Sequence, residues 1–162
     1  MYIPDLATSC AIGWLEHGQP FPQGAPHPDF VTALKRHVDD AGRWLPLVTF
    51  GAHFCDLGPC ENAGSAQYVV IPAPSCFYVA PELITHYVER HQYAPPDEFV
   101  TAVLACPEQS SSAYVDLLLP FASTWRLTAD DVRHIAQRAP AAREQHAAAV
   151  AQAHASKGGF RW

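Results

Sequence analysis

The chain has 162 residues, of which 49% are hydrophobic, with fifteen prolines, nine glycines and a formal net charge of −6. That length suits one domain with an extension, the apolar content excludes a compositionally disordered chain, and a core of this size needs no disulfide scaffold. The charge is uneven: six basic and three acidic residues from Arg126 onward give that stretch +3 and leave −9 on residues 1–125, an acidic body that disfavours nucleic acid as a partner.

The opening "MYIPDLATSC" has no basic segment followed by an apolar one, and no later apolar run approaches the roughly 18 residues that cross a bilayer. A soluble, cytoplasmic protein without membrane contact is expected. Five cysteines, an odd number without a secretory signal, argue against a disulfide framework and leave thiols for metal or for burial.

Taken in chain order, Cys10–Glu16 is a short apolar run expected to form a strand, and "HGQPFPQGAPHP" is a loop punctuated by proline and glycine. A helix is expected from Pro28, with Asp29 near its positive end, Phe30, Ala33, Leu34, His37 and Val38 on one face, and Gly42 as its stop. "LPLVTFGAHFC", "AQYVVIP" and "SCFYVA" are extended, β-branched and aromatic stretches that suggest one small antiparallel sheet. "PELITHYVERHQY" reads as a helix of about three turns, opened by Pro81, striped by Leu83, Ile84, Tyr87 and Val88, and stopped by Pro95-Pro96.

Two further helices follow: "PPDEFVTAVLAC", burying Phe99, Val103 and Leu104, and "SSSAYVDLLLPF", capped by Ser110 or Ser111. Thr128 and Asp131 then form a variant of the capping box, and the alanine-rich remainder has strong helix propensity but few large apolar residues. The expected architecture is α+β, with a small antiparallel sheet packed by short helices over residues 1–125 and a helical, basic extension over 126–162.

The chemistry concentrates in two places. In "CDLGPC", Gly58-Pro59 can turn the chain so that Cys55 and Cys60 converge, a spacing at the upper end of the range for structural zinc; "HYVERH" supplies His86 and His91 on the following helix. In order and end spacing this is a Cys2His2 set on a zinc-finger-like strand-strand-helix unit, with a longer insert than a classical finger has. Positions five apart on an ideal helix differ by about 140° in azimuth, so both imidazoles reach one metal only if the last turn distorts or His91 lies just beyond it. His53 is the rival: it shares a strand face with Cys55, and can replace a histidine ligand or orient one from outside the set.

"MYIPDL", "AIGWLEHGQPFPQG", "GAHFCDLGPC" and above all "FYVAPELITHYVERHQYAPPDEFVTAVLACP" resemble an uncharacterised bacterial family of small proteins without an established biochemical activity. The resemblance covers roughly residues 1 to 107 and places His53, Cys55, Cys60, His86 and His91 on the family's Cys/His positions. The cysteines depart from its pattern, with four residues between them where the family has two.

No H-E-x-x-H, deaminase, P-loop or dinucleotide signature is present, which disfavours an enzyme. Cys10, Cys76 and Cys106 carry no mark of an activated thiol and are expected to be buried. The helix bearing the histidines has Glu82, Glu89 and a single Arg90, unlike a helix that reads DNA. The leading expectation is a zinc-stabilised module that binds another protein. The alternative is a zinc-dependent hydrolase with His53, Cys55 and Cys60 as ligands and Glu82 or Glu89 as base.

Overall fold

The computed structural model describes residues 10–39, 53–60 and 63–138. The Gly42 stop, most of the extended run before His53 and the alanine-rich stretch from residue 139 lie outside the described residues. The architecture is α+β. Helix α1 (Pro28–Asp39) is followed by a hairpin of β1 (His53–Phe54) and β2 (Gly64–Ser65), and by a second hairpin of β3 (Tyr68–Pro72) and β4 (Phe77–Pro81). Helices α2 (Ile84–Arg90), α3 (Asp97–Ala105) and α4 (Ser112–Leu118) come next, then a 3-10 turn (Leu119–Trp125) and a helical stretch over 129–138.

The expected single sheet is two separate antiparallel pairs. The partner of β1 is Gly64–Ser65, a dipeptide with none of the apolar alternation by which strands announce themselves. The run Cys10–Glu16 is not a strand either. Cys10 (φ 49°) and Gly13 (φ 70°) adopt left-handed conformations that break an extended ladder, so the segment's backbone meets β4 through an Ala11–Val79 bridge with the bonds Ile12 N–H to Val79 O and Val79 N–H to Cys10 O. The Trp14 indole N–H donates to the same Val79 carbonyl at 3.2 Å.

The core lies where α1, α3 and α4 pack on the β3–β4 hairpin. Phe99 meets Phe30 edge-on at 6.3 Å between centroids and Tyr78 at 5.5 Å, and Leu34, Val69, Ile71, Val103 and Leu118 are fully buried around them. On α1 the expected stripe is realised, with Phe30, Leu34, His37 and Val38 buried and Ala33 half-buried. On α3 the stripe is narrower than expected. Phe99 and Val103, four apart, share the buried face, but Leu104 is rotated about 140° from Phe99 and stays 49% exposed.

Ser111 caps α4, accepting from the Tyr114 N–H at 3.2 Å. The Thr128–Asp131 box also forms: the Asp131 N–H donates to Thr128 Oγ1 at 3.1 Å and the Thr128 N–H to Asp131 Oδ2 at 2.8 Å. In the stretch this box opens, Val132 is fully buried in the core.

Pro81 does not open α2. It ends β4, opposite Tyr68, and the helix starts at Ile84 after the Glu82 N–H has bonded Gln67 O. Proline fits a strand terminus as readily as a first helical turn, because both leave its missing N–H without consequence. The helix is therefore seven residues long, yet its expected stripe of Leu83, Ile84, Tyr87 and Val88 is buried.

Candidate metal centre

The Cys55–Cys60 loop leaves the β1–β2 hairpin, whose ladder extends through Cys55 N–H to Ala63 O at 2.8 Å. Within it the Leu57 N–H donates to the Cys55 sulfur and the Cys60 N–H folds back to Gly58 O at 2.8 Å, a tight turn that aims both thiols the same way. The His17 N–H donates to Asp56 Oδ1 at 3.0 Å, pinning the loop from outside. Opposite stands α2, with His86 in its body and His91 as its C-cap. His91 has left the helical conformation (φ −111°, ψ 4°) while its N–H still bonds Tyr87 O, which removes the azimuthal obstacle. Left-handed Gln92 then turns the chain, and the Gly24 N–H fastens to Gln92 O at 2.9 Å.

The four side chains converge. His91 Nε2 lies 3.3 Å from Cys55 Sγ, 3.3 Å from Cys60 Sγ and 3.3 Å from His86 Nε2, and all four candidate ligand atoms lie within 4.8 Å of one another. A tetrahedral zinc with ordinary Zn–S and Zn–N bonds has edges of roughly 3.3 Å between nitrogens and roughly 3.5 Å between nitrogen and sulfur. The three edges that meet at His91 thus match those of a single tetrahedral ion, and the four residues could hold a metal. The wider cysteine spacing is taken up by the Gly58-Pro59 turn, which keeps both sulfurs in the cluster; Gly58 itself lies beside the His91 ring.

The electrostatics fit the same use. Burial lowers the pKa of His86 and His91, assisted for His86 by His91 and for both by Arg90, so each imidazole keeps a lone pair at neutral pH. Burial raises the pKa of Cys55, with Cys60 adding to it; a bound cation reverses that sign by stabilising the thiolates.

His53 is not one of the four. Its Nε2 is 2.9 Å from the Tyr87 hydroxyl, and Tyr87 is fully buried with its ring centroid 5.8 Å from that of His86 and 6.1 Å from that of His91. Tyr87 was legible in the sequence only as part of an apolar stripe, although its position four before His91 places it on the same helix face. The two carboxylates considered as bases are otherwise engaged: Glu82 accepts from the Ser65 hydroxyl, and Glu89 pairs with Lys35 at 2.6 Å. Cys106 is buried and its pKa is pushed up to about 12 by that burial; Cys76 is half-buried beside Cys10 and raised to about 11, chiefly by burial. Such thiols are poor nucleophiles at neutral pH.

Residues 1–104 match a family described as a domain of unknown function, DUF7919, and the chain belongs to that family. No curated protein and no solved structure matches the chain. Among the described residues no helix is long and apolar enough to cross a membrane.

Proposed function

We propose that Cys55, Cys60, His86 and His91 hold a structural zinc ion, and that the chain serves as a protein-interaction module in a reducing cytoplasm. The observation that carries the metal reading is the position of His91 Nε2, at 3.3 Å from each of the other three donor atoms. Four protein donors complete a tetrahedron, the closed arrangement of structural rather than catalytic zinc. The ion joins a loop on a two-residue hairpin to a helix of seven residues, two elements that are also tied by the His53–Tyr87 hydrogen bond. Neither is long enough to be stable alone, and metal binding contributes on the order of 10 kcal/mol where the unfolded chain offers no site. The interaction role is supported by the acidic body and by the absence of catalytic motifs in the sequence.

Cobalt substitution tests the metal reading. The chain loaded with Co(II) should show intense ligand-field bands of tetrahedral geometry together with thiolate charge-transfer absorption, both lost in Cys60→Ser. A weak octahedral spectrum, or one unchanged in Cys60→Ser, contradicts it.

A further inference from the structure

Away from the metal centre, a cavity of about 730 Å³ opens between the turn that joins β3 to β4 and the outer side of α3. That volume is in the range of about 300–1,000 Å³ typical of ligand pockets. Its origin is a matter of side-chain size. While α3 commits Phe99 and Val103 to the core, it turns Thr101, Ala102 and Ala105 to the groove, and these leave space that larger residues would fill. Pro74 and Ser75 form the opposite wall, buried Tyr78 and Cys106 contribute to the lining, and Leu117 of α4 is 43% exposed at it.

One end of this apolar trough is charged. Asp97 and Glu98, in the first turn of α3, line it with both side chains exposed, and among the described residues neither forms an ion pair with a cation. The helix dipole favours acids at this position, but the two carboxylates also border an apolar surface and sit on the acidic part of the chain. An occupant that fits both features is apolar along its length and basic at one end. Nine helical residues span about 13 Å, the reach of about four residues of extended chain.

We propose that this groove is the docking site for a short segment of a partner protein, one that presents two or three apolar side chains to Ala102, Ala105 and Leu117 and a Lys or Arg to Asp97 and Glu98. The proposal rests on the interaction-module reading above and assigns that role a surface and a class of partner. Charge complementarity sets the direction of the segment, with its basic end at the N-terminus of α3.

The test is selection of a random-peptide display library on the full, zinc-loaded chain, followed by fluorescence anisotropy with the synthetic consensus peptide. Ala105→Trp fills the groove from an exposed position, and Asp97→Asn/Glu98→Gln removes the charge; both variants should retain the metal content of the parent. The expected consensus pairs large apolar residues with Lys or Arg. It should bind Ala105→Trp about tenfold or more weakly, and the charge variant about threefold more weakly, with the latter difference shrinking at high salt. A consensus that binds Ala105→Trp as well as the parent overturns the groove but leaves an interaction module acting through another face. Enriched peptides without basic residues overturn the proposed partner class. Failure to enrich any peptide contradicts both the groove and the interaction reading, while the metal content reports separately on the zinc.

Discussion

His53 and Tyr87 are joined by a hydrogen bond of 2.9 Å between imidazole Nε2 and phenol hydroxyl, immediately behind the four converging donors. The bond links β1, which leads into the cysteine loop, to α2, which carries the histidines. It occupies one of the two ring nitrogens of His53, and that histidine is not among the four converging donors. His53→Ala should therefore leave metal stoichiometry unchanged, and Tyr87→Phe should cost about 1 kcal/mol of stability, also without loss of metal. Metal analysis beside chemical denaturation checks both; depletion of metal in His53→Ala would place that histidine in the ligand set.

The two sides of α3 make a second prediction. Phe99→Ala removes a fully buried ring packed on Phe30 and Tyr78 and should cost about 3–5 kcal/mol. Leu104→Ala, on the exposed side, should change stability by no more than about 0.5 kcal/mol. Denaturation midpoints of the two variants decide, and similar losses at both positions would contradict the observed rotation of the helix.

What the sequence made legible follows from how local each signal is. The stripe on α1, the Ser111 cap and the Thr128–Asp131 box are set by residues three or four apart, and all three stand in the structure. The convergence of Cys55, Cys60, His86 and His91 was legible because the chain has five cysteines and the spacing of these four residues is restrictive; helix geometry left two alternatives for His91, a distorted last turn or a place just beyond it, and the structure takes the second. The second hairpin strand was not legible, because Gly64–Ser65 is a strand only through its pairing with His53–Phe54. Glycine is apt there for a non-local reason: a Cβ at Gly64 would collide with the Phe54 ring. The misplacement of Pro81 and the burial assigned to Leu104 have one cause, since short elements admit two phases that only tertiary contacts resolve.

Tyr114 supplies a third prediction. Its buried hydroxyl donates to the Val70 carbonyl at 2.6 Å, tying α4 to β3. Tyr114→Phe leaves that carbonyl without this donor and should destabilise the fold by about 1–3 kcal/mol. Thermal or urea unfolding of the variant would show it, and an unchanged midpoint would count against the tie.

The Thr128–Asp131 box predicts a pH dependence. Hydrogen bonds from the Thr128 side chain and backbone hold the Asp131 pKa below its ordinary value. A depressed carboxylate stabilises the folded state fully above its unfolded pKa of about 3.9, and this contribution is lost as pH falls through the lower folded value. The stability gap between the parent and Asp131→Asn should be widest near neutral pH and narrow as pH falls toward about 3. A gap that widens on acidification has the wrong sign for this cap.

The central claim is that Cys55, Cys60, His86 and His91 act together as a metal centre, and native mass spectrometry of freshly purified, reduced protein addresses it most directly. The predicted result is one zinc ion per chain, removed by chelator with loss of folded structure and absent from Cys60→Ser. Less than about half an equivalent of metal, or a chelated chain that keeps its fold, would contradict the structural zinc.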